Sequence, residues 1–95
     1  MKSMRLTPKQ AEQIAVDALI HIAGDGDRLA RFSALSGIDP ALIRDAATEP
    51  GFLAGVLEYF LGHEPDLIVF AESAELPPER VAEAYRLLGG DSTAW

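Results

Sequence analysis

Phe52-Leu53-Ala54-Gly55-Val56-Leu57-Glu58-Tyr59-Phe60-Leu61 (FLAGVLEYFL) is the most apolar stretch of the chain. Phe52, Leu53, Val56, Leu57, Phe60 and Leu61 fall on one broad face at a 3.6-residue period. Pro50 stands in front as a first-turn residue and Gly62 stands just behind as a stop. A helix this apolar has to be covered on most sides, so the reading is a central helix on which the other elements pack.

Working outward, Thr7-Pro8-Lys9-Gln10 opens a first helix. Thr7 is the cap, Pro8 the first helical residue, and Gln10 the side chain that reaches back, as in a capping box. Ala11, Ile14, Ala15, Ala18, Leu19 and Ile22 form its buried stripe, and Gly24 ends it. Asp25-Gly26-Asp27 is a turn with capping capacity. Leu29, Phe32 and Leu35 give a short second helix ending at Gly37. Asp39-Pro40 starts a third through Leu42, Ile43 and Ala46. Downstream of the central helix, Pro65 opens a fifth helix with Leu67, Ile68, Phe70 and Ala71. A sixth runs from Pro78 to Leu88 through Val81, Ala82 and Tyr85, and Gly89-Gly90 stops it. No segment alternates with period two, so no strand is expected. The expected fold is all-α, a compact bundle of about six short helices in one domain spanning residues 1–95, with 1–6 and 90–95 as flexible ends.

Sliding the chain along itself by 38 residues lays Leu19 on Leu57, Gly24 on Gly62, Leu29 on Leu67, Phe32 on Phe70, Pro40 on Pro78 and Ala46 on Ala84. The matches fall at helix ends and core-type positions. They suggest two tandem copies of a long–short–short helical unit. The pairing fails at Leu35/Ser73, Leu42/Arg80 and Arg31/Val69, so the halves bury different patches.

Composition bounds the function. The chain has 95 residues, no cysteine and a net charge of −7. It therefore has neither disulfide nor thiolate chemistry. No apolar run is long enough to cross a membrane, and no apolar core follows the basic N-terminus as in a signal peptide. A cytoplasmic location is the expectation. Lys2, Arg5 and Lys9 hold three of the eight basic residues, so the remainder is strongly acidic. Such a body repels phosphate backbones and suits a basic protein partner.

The motifs that carry chemistry are missing. His21 and His63 lack the spacing of a metal-binding pair. Asp25-Gly26-Asp27 resembles the start of a calcium loop, but Leu29 stands where an oxygen ligand belongs and Ser36 stands at the twelfth position in place of a Glu. Neither a nucleophile elbow nor a phosphate-binding loop occurs. Ser33–Arg44 has the outline of a helix-turn-helix, yet its second helix would present Asp39 and Asp45 beside a single Arg44.

Leu6–Leu19 (LTPKQAEQIAVDAL), Ala30–Ala47 (ARFSALSGIDPALIRDAA) and Pro50–Ala71 (PGFLAGVLEYFLGHEPDLIVFA), in this order, resemble a small alphaproteobacterial family. It is the domain of unknown function numbered three thousand five hundred and seventy-two. The resemblance implies a bacterial, cytoplasmic, all-helical protein and carries no activity, cofactor or catalytic residue.

The leading expectation is a small non-enzymatic protein-interaction module, an adaptor or regulator without cofactor or metal. The rival is an enzyme or small-ligand protein with its site between the two repeats, near His21 and Tyr59, which the 38-residue shift superposes. A third reading is a weak nucleic-acid binder acting through the basic N-terminal arm. The aromatic residues look too many for the interior, so a leftover patch would seat a second copy of the chain, with Trp95 packing across the dimer.

Overall fold

The computed structural model describes residues 6–46 and 50–89. Trp95 and the basic N-terminal arm lie outside the described residues. Those described are helical, with no strand among them: α1 (Pro8–Ala23), α2 (Gly26–Ser36), a 3-10 turn (Pro40–Leu42) running into the single-turn α3 (Ile43–Ala46), α4 (Pro50–Leu61), α5 (Glu64–Ala74) and α6 (Pro78–Leu87). Five helices of 10 to 16 residues therefore carry the fold among the described residues, rather than six. The third is described as a 3-10 turn over Pro40–Leu42 and one α turn over Ile43–Ala46. Ile43 packs against the core, but Leu42 is 56% exposed.

Helix ends follow the capping chemistry. At α1 the Thr7 hydroxyl accepts from the Gln10 N–H at 3.1 Å, and the Gln10 side chain accepts from the Thr7 N–H at 2.9 Å, a complete capping box. Asp25 caps α2 by accepting from the N–H groups of Asp27 (2.9 Å) and Arg28 (3.2 Å). Asp39 accepts from the N–H of Ala41 at 2.9 Å and sets the 3-10 turn. Gly37 closes α2 in the left-handed region at φ 78°, where a Cβ would be strained. Glu75 closes α5 in that region at φ 59°.

Those two caps are 38 positions apart. So are the ends of α1 and α4 (Ala23, Leu61), the starts of α2 and α5 (Gly26, Glu64), and the prolines opening the 3-10 turn and α6 (Pro40, Pro78).

The centre of the molecule is a pair of helices. α4 packs against α1, α2, α5 and α6, and α1 packs against α2, α4, α5 and α6. The α1 stripe of Ala11, Ile14, Ala15, Ala18, Leu19 and Ile22 is buried as its spacing predicts. On α4 the buried set is Leu53, Ala54, Val56, Leu57, Tyr59 and Phe60, while Phe52 and Leu61 are half-buried at the rim. Among the described residues Phe32, Tyr59, Phe60 and Phe70 are buried, and Phe52 and Tyr85 are half-buried. Five rings form a seam through the interior, Phe52–Phe32–Tyr59–Phe60–Phe70, with successive ring centroids 6.2, 5.6, 5.3 and 5.1 Å apart. Edge-to-face and offset contacts of this kind let large rings share a thin core. The apolar surface left outside is aliphatic: Ile20, Leu35, Leu42, Ile68, Val69 and Leu87.

Candidate functional site

Tyr59 and His21 sit beside the same buried ring, Phe60, and face different cavities. His21 borders one of about 300 Å³ with Asp17, Ile20, Phe70, Ser73 and Ala74. Tyr59 borders one of about 270 Å³ with Leu35, Ser36, Glu58, Gly62 and His63.

The Tyr59 hydroxyl donates to Asp66 Oδ2 at 2.7 Å, and Arg31 Nη1 donates to the same oxygen at 2.9 Å. Arg31 also approaches the Tyr59 oxygen at 3.5 Å. Helices α2, α4 and α5 are thus tied through one carboxylate. Burial, followed by the bond to Asp66, raises the Tyr59 pKa above its ordinary value. Arg31 is raised as well, first by the Tyr59 oxygen and then by Asp66. Both shifts hold each group in the form it has at neutral pH. A general base or an activated nucleophile needs the opposite.

His63 lies flat on the Tyr59 ring, with centroids 4.8 Å apart and planes 23° from parallel. Its Nδ1 is 3.1 Å from the Tyr59 carbonyl oxygen. A carbonyl can only accept, so Nδ1 carries a proton in this contact.

His21 is half-buried against Phe60 and Phe70 at 6.0 and 5.5 Å. Its Nε2 is out of solvent and has no hydrogen-bond partner among the described residues. Burial first, and the Arg28 charge second, lower its pKa, so the ring is neutral. Among the described residues no three His, Asp or Glu side chains gather around a common metal position.

A further concavity, of about 620 Å³, was not anticipated from the sequence. Leu19, Ile20 and Ala23 of α1, Leu29 of α2, and Ala41, Ile43 and Asp45 of the short third element line it. Ile20 is 63% exposed and belongs to the walls of this groove and of the His21 cavity, so it forms a ridge between them. Each side carries one carboxylate, Asp17 or Asp45.

Residues 8–91 match the family described as Protein of unknown function (DUF3572). The chain belongs to the DUF3572 family. No curated protein and no solved structure matches it. The match spans all five long helices, the groove and the Tyr59 cluster, so each is a feature of the DUF3572 region of the chain. No helix among the described residues is long and apolar enough to cross a membrane.

Two side chains of the Tyr59 cluster escaped the sequence reading, Arg31 and Asp66. The available signal was the failed pairing of Arg31 with Val69 in the 38-residue alignment. A cation placed where its counterpart is apolar points to a specific partner elsewhere.

Proposed function

We propose that this DUF3572 protein is a non-enzymatic interaction module whose groove between α1, α2 and α3 receives an amphipathic helix of a basic partner protein. The observation that carries the reading is the apolar groove of about 620 Å³ beside α3, with Ala41 and Ile43 in its wall and Ile20, 63% exposed, along its edge. The helix boundaries recur at 38 residues, which supports two copies of one helical unit. A partner helix laid in the groove would cover Ile20, Leu19, Ala23 and Leu29. Recognition of this kind places apolar anchors at i, i+3 and i+4 in the groove. Asp17, with the net charge of −7, favours Lys and Arg flanking those anchors.

Two features favour binding over catalysis. The Tyr59–Asp66–Arg31 cluster is closed on itself, and both shifted groups there move away from reactive forms. The neutral His21 shares its cavity with Asp17 and Ser73 without a hydrogen bond at Nε2 among the described residues.

The test is affinity capture from cell lysate with the wild type and Ile20→Glu. Ile20 is exposed, so the substitution leaves the core intact. The expected result is a protein retained by the wild type and lost by the variant, with retention weakened by salt. Equal retention by both would overturn the reading.

A further inference from the structure

His21 joins α1 to α4 and α5 through its contacts with Phe60 and Phe70. Its Nε2 is out of solvent and has no hydrogen-bond partner among the described residues. A neutral imidazole can turn a lone pair to such a place at modest cost. An imidazolium carries a proton on both nitrogens, so its Nε2–H would be a charged donor buried without an acceptor. That state is costly, and the cost falls away once water reaches the ring.

The charged groups around the ring are engaged elsewhere. Asp17 on α1 borders the same cavity, and its Oδ1 accepts from Gln13 Nε2 at 2.9 Å. On α2, Asp25 caps the helix and pairs with Arg28 at 3.5 Å, and the Arg28 charge opposes an imidazolium. On α5, Asp66 holds Arg31 and the Tyr59 hydroxyl of α4. On α6, Glu83 accepts from the Leu6 N–H at the opposite end of α1.

Of the two helices that His21 touches, α5 is the less firmly held. Leu53, Ala54, Val56, Leu57, Tyr59 and Phe60 of α4 are buried, but on α5 the buried residues are Phe70 and Ala71. Asp66 ties the start of α5 to α2 and α4, and no such tie is present in its second half among the described residues. Elements with few buried side chains are the ones that open locally.

We propose that protonation of His21 releases residues 70–74 of α5 from α1 by local unfolding, a mild-acid switch that uncovers Phe70. The proposal stands apart from the interaction-module reading and does not need the groove beside Ile20. The sign follows from linkage. Burial, then Arg28, holds the closed-state pKa below the ordinary 6.5, against the smaller opposing pull of Asp66 and Asp25. The opened state therefore takes up the proton first, and opening is favoured as pH falls below 6.5.

The experiment is amide hydrogen exchange on the full chain, read as protection factors at about pH 7.5 and about pH 5.5, for the wild type, His21→Phe and His21→Gln. Both variants keep His63, the other histidine. Protection of residues 71–74 should fall about threefold or more in the wild type, with about tenfold as the ceiling one pH unit below 6.5. Helices α4 and α6 should keep theirs, and neither variant should show the fall. No fall in the wild type, the same fall in either variant, an equal fall in α4 and α6, or residues 71–74 already unprotected at the higher pH would each overturn it.

Discussion

Tyr59 answers to three helices at once, through its hydroxyl bond to Asp66 on α5, its edge contact with Phe32 on α2, and its own place on α4. Tyr59→Phe keeps the ring and removes one hydrogen bond to a carboxylate that Arg31 still holds. A loss of about 1–2 kcal/mol is expected, read as a lower urea midpoint with an unchanged m-value. His21 makes the molecule sensitive to mild acid. Its folded pKa is depressed below the ordinary 6.5, so the unfolded chain takes up the proton first as pH falls. Its contribution is intact above 6.5 and is lost as pH drops below that toward the folded pKa. The depressed carboxyl groups of Asp25 and Glu83 lose their contributions further into acid, below the ordinary carboxylate range. Urea midpoints at about pH 7.5 and about pH 5.5 should therefore fall in the wild type and fall less in His21→Gln. Equal falls would remove His21 as the cause.

Helix α4 shows how much of an element can be read from spacing. Its apolar face is Phe52, Leu53, Val56, Leu57, Phe60 and Leu61; Leu53, Val56, Leu57 and Phe60 are buried, and Phe52 and Leu61 are half-buried at the rim. Spacing does not predict that Ala54 and Tyr59 are buried too, because that depends on how many neighbours surround the helix. Gly55, half-buried within α4, has open space where a Cβ would stand. Gly55→Ala should stabilise the protein by about 0.5–1 kcal/mol, since alanine loses less backbone freedom on entering a helix. A thermal midpoint that fails to rise would mean the added methyl meets something the free chain does not show. The short third element marks the limit of pattern reading. Leu42, Ile43 and Ala46 have helical spacing, but Leu42 stays in solvent because no neighbouring helix covers it. Arg31 and Asp66 mark another limit. They are 35 residues apart, and only the packing of α2 against α4 brings them together.

The whole molecule pairs a closed aromatic interior with an acidic surface that keeps aliphatic side chains in solvent. The interior was legible as a list of residues, and the surface was not. Which apolar residues stay outside is decided by how the helices pack, and spacing alone does not show that Ile20 stands exposed at the groove beside α3. Partner binding at that groove is the central claim. The measurement that tests it most directly is hydrogen exchange on the full chain, with and without the protein that the wild type captures. Binding there should slow exchange in the C-terminal half of α1, the start of α2 and residues 40–46. Protection centred instead on α5 and α6, with residues 40–46 unchanged, would contradict the account.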